Sequence, residues 1–131
     1  MKNVLAVFAA GIGLLVAAAP AMAHHSFAAE YDSKKPVKLT GTVTKVEWMN
    51  PHVYFFIDVT DEKGVTTNWA LEMGPPQGLQ RSGWTRNTMK IGDEVQVEGT
   101  RAKDGSNHAN ARGVYMNGKR LGAASSEGVI P

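Results

Sequence analysis

Residues 38–59 read KLTGTVTKVEWMNPHVYFFIDV, and this stretch decides the fold. Apolar and polar residues alternate on both sides of the Met-Asn-Pro corner, which predicts two β-strands. The first is expected over residues 37–48. Its alternation slips by one residue near Thr44 and Lys45, which indicates a β-bulge, and Gly41 is typical of a strongly bent strand. In small β-barrels, a long and bent first strand pairs with both halves of the sheet.

The second strand presents two different faces. Residues 53, 55, 57 and 59 are apolar and are expected to face the core, whereas His52, Tyr54 and Phe56 share the opposite face. A hairpin turn at residues 61–64 leads to a third strand over residues 65–73. Glu72 is predicted on the outward face of that strand, opposite His52 or Tyr54, where it would orient a histidine.

The remaining segments complete an all-β domain. Gly74-Pro75-Pro76 ends the sheet, and a short helix with Leu79 as its buried contact is expected within residues 77–83. Strands follow at residues 94–102 and 110–116, with a brief return after the Asn117-Gly118 turn. This order predicts a small five-stranded OB-like barrel, closed or partly open, with one short helix between strands 3 and 4. Another small β-barrel or a sandwich is the alternative.

The amino-terminal residues are typical of a secretory signal peptide. Lys2 precedes an apolar run over residues 4–19, and Ala21-Met22-Ala23 matches the Ala-x-Ala cleavage pattern. A membrane anchor is disfavoured because the run is shorter than the roughly 20 residues that a spanning helix needs. We therefore predict a periplasmic or secreted protein cut between Ala23 and His24. The expected division is 1–23 signal peptide, 24–36 arm, 37–121 barrel domain and 122–131 disordered tail.

Composition restricts the partners. The 14 Lys and Arg nearly balance the 12 Asp and Glu. Such a balance lacks the basic footprint that nucleic acid or an anionic membrane would select. The chain has no Cys, so any metal site must use His, carboxylate, Met or the free amino terminus. We expect no nucleic-acid partner and no membrane span after processing.

Seven short segments resemble a family of small exported bacterial proteins classed only as a domain of unknown function. The resemblance runs from His24 to about Leu121 and implies an exported single-domain β-barrel without an assigned reaction. The segments are HHSF at 24–27, GTV at 41–43, EWMNPH at 47–52, WALE at 69–72, GWTR at 83–86, GDEV at 92–95 and KDGS at 103–106.

Aromatic residues around the second and third strands suggest a ligand-binding face. OB-folds bind ligands on this face, and the ligand here would be a small molecule, an oligosaccharide or a protein surface. Trp84, beside Arg86, is expected to be the most exposed tryptophan or to cap an open barrel end, while Trp48 and Trp69 are favoured as core residues. The predicted ligand-binding residues are Trp48, Asn50, His52, Tyr54, Phe56, Glu72, Trp84 and Arg86.

Cleavage after Ala23 would make His24 the amino terminus, and this is the basis of an alternative prediction, a copper site. A terminal histidine offers its α-amine and its Nδ1 to one ion, and a further imidazole would complete a nitrogen-rich site of the kind that suits Cu(II). His25, His52 and His108 are the candidates for that further ligand. The alternatives are an accidental terminal histidine, a His52 that only fixes the turn, and a solvated His108. The sequence indicates no other cofactor.

No pair of carboxylates and no Ser-His-Asp or Cys-His arrangement has defensible catalytic spacing. We therefore expect a non-enzymatic binding domain, with a copper-binding protein as the alternative. An oxidative enzyme built on the same histidines ranks third.

Overall fold

The computed structural model describes residues 27–127. The predicted signal peptide, His24 and His25 lie outside this range. Residues 27–30 are helical and lead directly into the first strand. The elements are β1 Tyr31–Glu47, β2 Tyr54–Thr60, β3 Thr66–Glu72, α1 Pro76–Arg81, β4 Glu94–Ala102, β5 His108–Met116 and β6 Lys119–Arg120.

The strands form one sheet in the order β3-β2-β1-β4-β5-β6. Residues 42–47 of β1 pair with β2, and residues 31–42 pair with β4, both antiparallel. Residues 70–72 of β3 pair in parallel with residues 108–110 of β5, so the first five strands form a ring. The prediction of a mostly β domain is confirmed. The sheet has six strands rather than five, because the brief return after Gly118 forms a two-residue β6.

β1 behaves as expected at its centre and differs at its start. Its register with β2 jumps from Val43 to Lys45, which confirms the bulge at Thr44. The strand begins at Tyr31 instead of Val37, and it continues through Pro36 because the register with β4 is irregular between these residues. Proline is tolerated at such irregularities because its missing N–H breaks no regular ladder bond.

The core fills the inside of the ring. Phe55, Ile57 and Leu71 are fully buried, as the alternation predicted, and Trp69 packs with them. Gly41 is required by a close approach of two strands: a Cβ at this position would overlap the backbone oxygen of Asp58. Within residues 27–127 no helix is both long enough and apolar enough to span a membrane.

Two expectations about exposure are wrong: Trp84 is not the most exposed tryptophan, and residues 122–127 are not a disordered tail. Trp84 is only 2 % exposed, because the chain turns at Gly83 (φ +95°) and directs the indole into the core. Its Nε1 donates to the carbonyl of Gly122 at 3.1 Å. Residues 122–127, predicted as disordered tail, pack on the fold: Ala124 is buried, and its carbonyl accepts from the Gly74 N–H at 2.8 Å. Small residues permit this close backbone approach.

Candidate functional site

A buried carboxylate lies at the centre of the candidate site. Glu72 is the last residue of β3 and is only 4 % exposed. It pairs with Tyr54 of β2 on one side and with Asn110 of β5 on the other. The parallel β3–β5 pairing therefore buries a residue whose strand parity predicted an outward position. A charge in this environment needs hydrogen-bond partners, because its desolvation is costly.

His52 supplies the first partner. It follows the cis Asn50–Pro51 peptide bond, and its Nδ1 lies 2.8 Å from Oε1 of Glu72. The contact expected between these two residues is thus present. A carboxylate on Nδ1 selects the tautomer that carries its proton there and leaves the lone pair on Nε2. The carboxylate of Glu72 therefore fixes the orientation of this imidazole. The His52 side chain is also 35 % exposed, so solvent can reach it.

Tyr31 supplies the second partner. Its hydroxyl donates to Oε2 of Glu72 and lies 2.9 Å from Nε2 of His108. Burial raises the pKa of the Tyr31 phenol well above its usual value, and the hydrogen bond to Glu72 raises it further. Tyr31 therefore remains a neutral donor at physiological pH.

Tyr54 adds a second phenol to the cluster. Burial, followed by repulsion from the Glu72 charge, raises its pKa above the usual range. Its ring centroid lies 6.1 Å from that of His108. Two neutral phenols and two imidazoles thus surround one carboxylate, and we call Tyr31, His52, Tyr54, Glu72 and His108 the Glu72 cluster.

His108 was expected to be solvated in a loop, and this is wrong. It is the first residue of β5, with a side chain only 23 % exposed. Its Nδ1 lies 3.8 Å from Oε1 of Glu30. One ligand atom each from Glu30, Glu72 and His108 lie within 4.8 Å of one another, a spacing that could hold a metal ion.

The first described turn of the chain packs beside the Glu72 cluster. The ring centroid of Phe27 lies 5.0 Å from that of Tyr31. The Glu30 carbonyl accepts a hydrogen bond from the Lys103 N–H at 2.8 Å. The arm therefore approaches the same side of the sheet as Glu72.

The other predicted ligand-binding residues do not form one face with these side chains. Trp84 belongs to the core, and Trp48 is partly buried against it. Asn50 and Arg86 are exposed. Phe56 is half-buried, with Nζ of Lys45 5.1 Å from its ring centroid.

Sequence reasoning missed Glu30 and the polar role of Tyr31, and it undervalued His108. A signal for His108 was present: Ala109 and Ala111 alternate with polar residues directly after it, so the strand pattern begins at residue 108. No such signal exists for Tyr31, because its partners lie 41 and 77 residues away.

A family profile described as a family of unknown function, DUF6152, matches residues 10–111. The chain belongs to this family. The matched range includes every member of the Glu72 cluster. Searches among curated proteins and among solved structures gave no match.

Proposed function

We propose that this protein is an exported, non-enzymatic OB-like domain that binds Cu(II). The ligands are the α-amine and imidazole of His24, freed by signal-peptide cleavage, and the imidazole of His52, with His25 as the alternative to His52. The observation that carries the proposal is the hydrogen bond from Nδ1 of His52 to the buried carboxylate of Glu72.

The His52–Glu72 pair has the chemistry of a metal-ligating histidine with its supporting group. Metal-bound histidines almost always donate their second ring N–H to a carboxylate, a carbonyl or water, which fixes the ring and raises its basicity. The free Nε2 of His52 is directed away from that carboxylate by the geometry of the imidazole ring. An accessible nitrogen donor with a buried anion behind it is suited to a cation.

The position of the arm supports His24 as the partner ligand. Phe27 packs on Tyr31, whose hydroxyl binds the same carboxylate as His52. His24 precedes Phe27 by three residues, and three extended residues span at most about 10 Å. A chelating amino terminus is therefore within reach of the Glu72 cluster.

Strand order supports the OB-like assignment. The strands form the ring β1-β2-β3-β5-β4 with a parallel β3–β5 pairing, and we take this arrangement as support for the assignment. OB-folds bind ligands on strands 2 and 3 and at the loops between strands 1 and 2 and between strands 4 and 5. His52 lies in the first of these loops, and His108 ends the second.

An organic ligand on the aromatic face is the weaker candidate. Trp84 is buried and so cannot contribute to an exposed aromatic face. Phe56 is half-buried, and the Lys45 side chain lies over its ring. The remaining polar groups of this region converge on Glu72, which suits a cation better than a sugar or a peptide.

Copper titration of correctly processed protein tests the proposal. We expect acetylation of the His24 α-amine to lower Cu(II) affinity by about 100-fold or more, because it removes one ligand of the terminal chelate. His52→Ala should lower the affinity at least tenfold, and Glu72→Gln by a factor within the 10–100 range typical of supporting groups. Met49→Ala, an exposed change in the same corner, is the control and should have no effect. Equal affinity of the processed protein and its N-acetylated form would refute the His24 chelate, and unchanged affinity of His52→Ala would remove His52.

A further inference from the structure

The hydrogen bonds around Tyr31 determine the tautomer of His108. A phenol has one proton, and Tyr31 donates it to Glu72. The Tyr31 oxygen must then accept from Nε2 of His108, 2.9 Å away, so Nε2 carries a proton. In the neutral imidazole the other ring nitrogen, Nδ1, keeps its lone pair.

The lone pair of His108 faces another electron donor. Oε1 of Glu30 lies 3.8 Å from Nδ1, which is too long for a hydrogen bond. Two ligand atoms bound to one Zn²⁺ at about 2.0–2.2 Å lie roughly 3.4 Å apart in a tetrahedral site and about 4.2 Å apart at most. The observed separation falls within this interval.

The local charge favours a cation. Glu30 and Glu72 contribute two carboxylates, and within residues 27–127 their ion pairs involve histidines only, without Lys or Arg. The Glu30 side chain is 48 % exposed, so an ion can enter from solvent. Its backbone is fixed by the hydrogen bond from Lys103, and His108 is held in β5 by pairing with Ala70.

We infer that Nδ1 of His108 and the carboxylate of Glu30 form a second metal site, for a divalent ion of the Zn²⁺ class, with water completing the coordination. Imidazole and carboxylate are common zinc ligands, and a site with water positions is an open one. Glu72 and Tyr31 are positioning residues, because they fix the tautomer of His108 without binding the ion. This site uses neither His24 nor His52, so it stands independently of the proposed copper site.

Zinc titration in a His24→Ala/His25→Ala background tests the second site without the terminal chelate. We expect one Zn²⁺ per chain by calorimetry at pH 7. Glu30→Gln should weaken binding at least tenfold while the fold is retained, since this side chain is half exposed. Glu94→Gln, an exposed carboxylate of β4, is the matched control and should bind as the background does. Absence of zinc binding in the background, or equal binding by Glu30→Gln, would overturn the inference.

Histidine ¹⁵N spectra provide a test that does not depend on a His108 variant that folds. The metal-free protein should show His108 with its proton on Nε2, and zinc should shift its Nδ1 resonance. A proton on Nδ1 in the metal-free protein at pH 7, or an unshifted Nδ1 with zinc bound, would overturn the assignment. Absence of copper binding by the processed wild-type protein, together with zinc binding by the His24→Ala/His25→Ala background, would refute only the His24 and His52 proposal.

Discussion

Replacing Glu72 by Gln removes one charge from the centre of the Glu72 cluster and leaves its volume almost unchanged. The carboxylate accepts from Tyr31 on one oxygen and from His52 on the other. The Gln side chain keeps one oxygen acceptor. Its NH₂ group replaces the second oxygen and therefore faces a donor, either the Tyr31 hydroxyl or the His52 N–H. Hydrogen bonds to charged groups contribute about 1.5–3 kcal/mol each. The variant should therefore lose roughly this amount and retain an unmatched donor.

The neutral side chain also removes an opposing cost, because a buried carboxylate carries a desolvation penalty. We expect the free energy of unfolding to fall by about 2 kcal/mol after this partial offset. With a urea dependence of about 1–2 kcal/mol per molar, the unfolding midpoint should fall by roughly 1–2 M. Tryptophan fluorescence measures this transition, since Trp69 and Trp84 belong to the core.

A double-mutant cycle with Tyr31→Phe isolates the interaction. Phe keeps the ring that packs on Phe27 and removes only the hydroxyl. We expect a coupling energy of about 1.5–3 kcal/mol between positions 31 and 72. Exposed Glu94→Gln should change stability by less than about 0.5 kcal/mol. A coupling energy near zero, or a Glu72→Gln protein as stable as the parent, would refute the hydrogen-bonded cluster around Glu72.

Two further predictions concern the alkaline range and the carboxy-terminal segment. The pKa values of Tyr31 and Tyr54 are raised by burial above the usual value near 10, so the folded protein binds more protons than the unfolded chain at high pH. The stability from these phenols should be complete below pH 10 and fall above it, and tyrosinate absorbance should rise together with loss of the fold. Gly122→Ala should release the segment after it, because a Cβ there would overlap the backbone oxygen of Ser82, and proteolysis should then cut within residues 122–127.

Each of these predictions has a contradicting result. Titration of both phenols near pH 10 in protein that is still folded would refute their burial against Glu72. Unchanged protease resistance of Gly122→Ala would contradict the packing of residues 122–127, and Ala123→Ser, at an exposed neighbouring position, controls for local composition.

Alternation of side chains predicted much of the sheet because it reports which residues face the core. The bulge at Thr44, the core face of β2, the turn at Gly64 and the bounds of β4 follow from such local patterns. The signal is strong where one face of a strand is buried and the other is wet.

The positions that local patterns could not predict depend on contacts between distant segments. Glu72 has outward parity, and it is buried by Tyr31, His52 and β5. Trp84 follows a glycine and resembles a loop residue until Gly122 supplies a carbonyl to its indole. His108 becomes structured through Tyr31, 77 residues earlier. The His52–Glu72 contact could be predicted from the sequence because it requires only the pairing of β2 with β3, which are neighbours along the chain.

The parallel seam between β3 and β5 sets the order in which this molecule can be completed. It joins residues 70–72 to residues 108–110, and contacts this distant in sequence slow folding. A chain that emerges amino terminus first presents β3 as an unpaired edge until His108 and Asn110 arrive, and such edges are prone to wrong pairing. Assembly of the Glu72 cluster therefore coincides with closure of the ring, and the cluster cannot be complete before residues 108–110 have been released.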